Sequence, residues 1–100
     1  MPLQIEFDPA KDAVNIRVHG VSLSQAETLL QGFTVQRRDE RLDYGEIRII
    51  AIGDLGGLEF VCVYTLRGEA IRPISLRRAD RKERNVYQEA KAAAARGESA

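Results

Sequence analysis

The sequence predicts an α+β domain: an N-terminal strand, an α-hairpin, an antiparallel sheet of three to four strands and a C-terminal helix. Three observations carry this. Residues 46–78 fall into three short runs rich in β-branched and aromatic residues, separated by Gly56-Gly57 and by Arg67-Gly68-Glu69. Glycines tolerate positive φ, so runs punctuated this way read as successive strands of a meander. Cap signals then bracket helices on both sides: Asp8-Pro9 with Gly20 ahead of the sheet, and Asp80 with Glu83 behind it.

Each element follows from local chemistry. Residues 3–7 alternate apolar and polar and predict a first short strand. Asp8 caps the first helix and Pro9 enters it where no N–H is needed; Gly20 stops it just after His19. Ala10, Val14 and Val18 recur every four residues, with Ala13 and Ile16 beside them, and predict its core stripe. Lys11, Asn15 and His19 form a second, polar row. Ser22 and Gln25 have capping-box spacing, with Val21 placed to staple onto Ala26. Ala26, Leu29 and Leu30 give the second helix an inner face, and Gly32 ends it. Residues 33–36 predict a short strand, and residues 37–45 a charged loop.

In the run from Leu58 to Arg67 both alternating faces are apolar at their centres, which predicts a central strand covered on both sides. Pro73 cannot donate to a ladder, so the next strand should be an edge or turn that nitrogen outward. Residues 1–90 are expected to form one domain, and residues 91–100 an alanine-rich tail that frays.

Composition narrows the function. Lys plus Arg and Asp plus Glu are 15 each, so a polyanion partner has to rest on local clustering. The single cysteine, Cys62, sits mid-strand and reads as a small buried hydrophobe in a reducing compartment. No run reaches the ~20 apolar residues of a membrane span, and no basic-then-apolar leader opens the chain, so a cytoplasmic location is expected. There is no metal-ligand spacing, no phosphate-binding glycine loop after a strand and no nucleophile elbow, so neither a metal nor a cofactor is expected.

What remains is a basic corner of Arg77, Arg78, Arg81, Lys82 and Arg84 where the last strand meets the last helix, together with His19, Lys11 and Tyr87. Arginines can hold a phosphodiester and its developing charge, while a histidine and a tyrosine move or orient protons. The plainer alternatives are a solvated basic face and a histidine that complements its helix dipole.

Residues 5–22 (Ile-Glu-Phe-Asp-Pro-Ala-Lys-Asp-Ala-Val-Asn-Ile-Arg-Val-His-Gly-Val-Ser) resemble the opening of the BrnT family of toxins. Residues 43–53 (Asp-Tyr-Gly-Glu-Ile-Arg-Ile-Ile-Ala-Ile-Gly) and 72–79 (Arg-Pro-Ile-Ser-Leu-Arg-Arg-Ala), followed by Glu83 and Tyr87, resemble its later blocks in order and spacing. The resemblance implies a RelE-like fold and a metal-independent endoribonuclease that inhibits translation. It also implies a BrnA-type ribbon-helix-helix antitoxin that binds the toxin in a hetero-oligomer and reaches operator DNA; because both sheet faces need covering and the helices are few, an apolar patch is expected to stay open for that partner. His19, Arg77, Tyr87 and Lys11 are then the expected catalytic residues, and Asn15, Arg48, Arg78 and Arg81 the expected substrate-binding ones. Two departures from the family pattern stand out: Val18 where a lysine precedes His-Gly, and Leu76 where an alanine sits between Ser75 and Arg77. An attenuated module that acts only through its antitoxin is the alternative function.

Overall fold

The computed structural model describes residues 3–97. Residues 1–2 and residues 98–100, the end of the tail expected to fray, lie outside that range, while residues 91–95 of that tail continue the last helix. Eight elements follow one another: α1 (Pro9–His19), a 3₁₀ turn (Leu23–Gln25), α2 (Ala26–Gln31), β1 (Thr34–Arg38), β2 (Arg48–Leu55), β3 (Leu58–Arg67), β4 (Ala70–Arg78) and α3 (Arg81–Ala95). The four strands form one antiparallel sheet in the order β1-β2-β3-β4.

The turns set the register. Gly56 and Gly57 both take positive φ, 59° and 88°, and close β2 onto β3 so that Leu55 pairs with Leu58. Gly68, at φ 60°, closes the next hairpin with Arg67 opposite Ala70. β3 is central, and its middle is buried from both sides. One face packs Cys62, Tyr64, Ala51 and Leu76 under Leu23, Ala26 and Leu29; the other packs Ile50, Ile52 and Val61 under Ala79 and Tyr87. Buried deep in the first cluster, the Cys62 thiol is pushed up to about 12 and is a packing residue.

β4 is an edge strand, as Pro73 requires, and it carries one irregularity. Val63 pairs with Ser75 but Tyr64 pairs with Pro73, so Ile74 is an extra residue, a β-bulge.

Residues 3–7 do not form the expected strand. They make one parallel bridge, Ile5 to Ile71, in which Ile71 N–H donates to Gln4 O (2.8 Å) and Glu6 N–H donates to Ile71 O (3.0 Å). Pro73 and the bulge follow at once, and the ladder has no further regular partner.

The first helix has its expected ends: Asp8 Oδ1 accepts from Ala10 N–H (2.8 Å), and Gly20 adopts φ 74°. Its expected core stripe is overturned. Val14, Ile16 and Val18 are 46%, 47% and 61% exposed, and the buried residue of α1 is Asn15 at 6%. The helix docks by its polar side. Asn15 Nδ2 donates to Val21 O and to Leu76 O (2.9 Å each), and Leu76 N–H donates back to Asn15 Oδ1 (3.2 Å). That amide occupies both hydrogen-bonding groups of one residue on the free edge of β4, much as a neighbouring strand would.

Asp12, the other anchor, accepts from Leu23 N–H (2.7 Å) and from Ser22 Oγ (3.1 Å). The expected Ser22–Gln25 capping box is therefore absent. Ser22 instead caps the 3₁₀ turn through Ser24 N–H, and Gln25 makes no side-chain cap bond.

Candidate functional site

Antiparallel pairing brings residues far apart in sequence onto one face. Arg48 pairs with Thr65 and Thr65 with Arg72, giving one row across β2, β3 and β4. The next row is Arg37–Ile50–Val63–Ser75, and the third is Val35–Ile52–Val61–Arg77. Alternation puts all three rows on the face that α3 partly covers. Four arginines, from β1, β2 and β4, thus share a surface.

The bulge is what brings Arg77 there. Arg72 and Arg77 are five residues apart, so an unbroken strand would point them to opposite faces. The extra residue at Ile74 restores the match and leaves Arg78 on the other side, opposite Phe60, with its guanidinium 5.5 Å from that ring. Bulges that re-aim a side chain in this way are common beside functional sites.

Two of the carboxylates beside these arginines are held in ion pairs, while the next row of the same face carries Asp54 and Glu59. Arg77 forms a bidentate pair with Glu83 (Nη1–Oε1 2.9 Å, Nη2–Oε2 2.8 Å), and that pairing holds the Glu83 carboxyl at about 2. Asp80 and Glu83 complete the expected capping box at the start of α3, each accepting the other's backbone N–H at 2.8 Å. On the loop between β1 and β2, Asp39 is buried and clasped by Arg41 Nε and Nη2 (2.8 and 2.7 Å) and by the Tyr44 hydroxyl (3.1 Å). The hydrogen bonds from Arg41 keep the Asp39 carboxyl well below the usual carboxylate range.

Tyr44, so placed, holds Arg48. The guanidinium carbon of Arg48 stands 4.0 Å from the ring centroid, and its Nε is buried without a hydrogen-bond partner. Among the described residues the ion pairs are Arg41–Asp39 and Arg77–Glu83, which leaves Arg37, Arg48 and Arg72 outside any such pair. A groove of about 390 Å³, lined by Arg37, Ile50, Ile52, Asp80, Lys82, Glu83 and Val86, runs between this face and the first turns of α3. A surface with arginines from three strands and a stacked tyrosine can bind a phosphodiester chain and stabilise added negative charge on it.

The arginine face holds two of the eight site residues expected from the sequence, Arg48 and Arg77, and three others, Lys11, Asn15 and His19, meet at a separate groove. Arg81 stands exposed in the first turn of α3, and Arg78 faces the opposite side of the sheet. Tyr87 is 2% exposed, donates its hydroxyl to Phe33 O (3.3 Å) and packs edge-on against the Phe33 ring, which makes it a core residue in this fold. Asn15 is fully engaged with backbone groups. Lys11 and His19 line that separate groove, of about 550 Å³, between α1 and Ile74-Ser75, across the β4 edge.

Sequence reasoning missed Arg37, Arg41, Tyr44 and Arg72. The two-residue turns carry a signal for Arg72: counting back from Gly56-Gly57 and from Gly68-Glu69 places Arg48, Thr65 and Arg72 in one row.

No curated protein matches the chain. A family model described as ribonuclease toxin, BrnT, of type II toxin–antitoxin system matches residues 7–83, a span that contains α1, all four strands and the start of α3. The chain belongs to the BrnT family of ribonuclease toxins of type II toxin–antitoxin systems.

Proposed function

We propose that the chain is a metal-independent endoribonuclease that silences translation by cutting RNA on the arginine face of its sheet. The observation that supports this best is the convergence of Arg37, Arg48, Arg72 and Arg77 on one surface, the first three of them outside any ion pair among the described residues. An RNA strand crossing that face presents its phosphates to the guanidiniums, and Tyr44 supplies a ring beside Arg48 for a base.

In the proposed reaction a ribose 2′-oxygen attacks the adjacent phosphorus and the 5′-oxygen of the next nucleotide leaves. The products are a 2′,3′-cyclic phosphate and a 5′-hydroxyl: the 2′-hydroxyl proton passes to solvent, and the leaving 5′-oxygen takes a proton from solvent. Arg48 and Arg72 hold the phosphate and stabilise the charge that builds on its oxygens, while Arg77, fixed by Glu83, sets the far side of the path. Preorganised cations of this kind each contribute ~10²–10³ in rate. His19 and Lys11 stand across the β4 edge from this path, so the reading makes no use of them in the chemical step.

A toxin of a type II system has an antitoxin partner, and we propose that this one is a ribbon-helix-helix protein that also carries the complex to operator DNA in the cytoplasm. Induction of the chain alone in cells tests the function. Growth should stop and messenger RNA should be cut, and Arg48→Ala should abolish both. A chain that is harmless when expressed alone would contradict the reading.

A further inference from the structure

The first helix is seated in reverse. Its polar residues Asp12 and Asn15 reach inward to Leu23, Val21 and Leu76, and its valines point away from the core. Ala10, Val14 and Val18 lie one turn apart on that outward side and border the groove that ends at Ile74 and Ser75. A solvent-facing stripe of this kind is uncommon on a helix that binds nothing.

The charges beside it share one sign. Helical spacing places Lys11 on one flank of the stripe and Arg17 on the other, and both are exposed. The helix's two acids are turned to internal uses: Asp8 caps the N-terminus, and Asp12 holds Ser22 and Leu23. An apolar row with basic flanks is complementary to an amphipathic helix that has acidic flanks. Valines offer RNA no ring to stack on, and a second copy would set Lys11 and Arg17 against their own kind.

We propose that the outward face of α1, centred on Val14 and Val18, is the docking surface for the antitoxin, which presents an acidic amphipathic helix to it. The proposal rests on the toxin reading above for the identity of the partner. It locates that partner across the β4 edge from the arginine face, so that docking and RNA cleavage use separate surfaces.

The test uses the full chain and the antitoxin of its own operon, with affinity measured by calorimetry and RNA cleavage measured in parallel. Val14→Glu/Val18→Glu should weaken antitoxin binding by at least ~30-fold. Cleavage should stay within about twofold, because no substrate contact is assigned to either valine. Arg17→Glu should weaken binding by about tenfold at low salt and by less at high salt. If the double variant fails to fold, Val18→Ser with Arg17→Glu takes its place, since both side chains are exposed. Unchanged affinity in these variants overturns the proposal and leaves the ribonuclease reading standing. Lost cleavage with retained affinity also overturns it, because the face would then belong to RNA. Lost affinity in a chain that never cleaves RNA supports the docking face and removes the ribonuclease reading instead.

Discussion

Replacing Asn15 tests whether α1 is held by its polar side. Its amide makes three hydrogen bonds to backbone groups of Val21 and Leu76 and is buried. Asn15→Ala leaves the Leu76 N–H and the Leu76 and Val21 carbonyls without that partner. Each stranded group costs ~1–3 kcal/mol when water cannot replace the bond. Leu76 lies on an edge strand that water can reach once the side chain is gone, so the sum should fall near ~2–4 kcal/mol. For a domain of this size that lowers Tm by on the order of 10–25 °C. Urea denaturation followed by circular dichroism gives the number, with an unchanged m-value marking a loss of stability alone.

Asn15→Asp sharpens the test. An ionised carboxylate can accept from Leu76 N–H but repels both carbonyls, so the variant should lie close to Asn15→Ala at neutral pH. Its folded-state pKa should be raised above the unfolded value. Relative to wild type it should therefore regain stability as pH falls and lose it as pH rises through the folded pKa. An Asn15→Ala chain within ~0.5 kcal/mol of wild type, the range of an ordinary surface substitution, would refute the docking described here. So would a Val18→Ala variant that costs as much as Asn15→Ala.

The remaining predictions concern other parts of the frame. Glu83, held at about 2 by Arg77 against an ordinary 4.5, gives stability that is complete above pH 4.5 and lost as pH falls toward 2; Glu83→Gln should flatten acid unfolding over that window, at a cost of ~1 kcal/mol or less at neutral pH. Gly53→Ala should cost ~1–3 kcal/mol in urea denaturation, because a Cβ there would stand 2.8 Å from Leu29 Cγ, a fully buried side chain with no room to shift. Truncation after Lys91 should cost less than about 1 kcal/mol by thermal melting, since no large apolar side chain is removed.

Local chemistry made much of this fold legible. Strand runs, the glycine turns and the caps at Asp8, Gly20 and Asp80–Glu83 each declare themselves within a few residues. Pro73 announced an edge for the same reason. What could not be read is long-range. The spacing of Ala10, Val14 and Val18 describes an apolar stripe correctly but says nothing of which way it faces. That direction is decided by Asn15 and by Leu76, sixty-one residues away, and a polar anchor outweighs three small apolar side chains when its partners are unmet edge-strand groups.

The site is legible to the same degree. Arg48 and Arg77 come together because of pairing register and one bulge, and the bulge at Ile74 has no sequence mark beyond its place after Pro73. A reading by proximity in sequence gathers Arg77, Arg78 and Arg81, whereas the sheet separates Arg77 from Arg78 and recruits Arg72 and Arg37 instead. Tyr87 could not be told from a catalytic tyrosine until its ring was seen to pack with Ile52 and Val61.

The central claim is that one face of the sheet, rather than basic charge in general, does the chemistry. Cleavage of a single-stranded RNA by the purified chain in excess EDTA, compared among wild type, Arg48→Ala, Arg72→Ala and Arg78→Ala, tests it most directly. Arg48→Ala and Arg72→Ala should each lose ~10²–10³ in rate, and Arg78→Ala, whose side chain lies on the opposite face, should stay within about tenfold of wild type. Equal losses in all three variants, or wild-type cleavage abolished by EDTA, would contradict it.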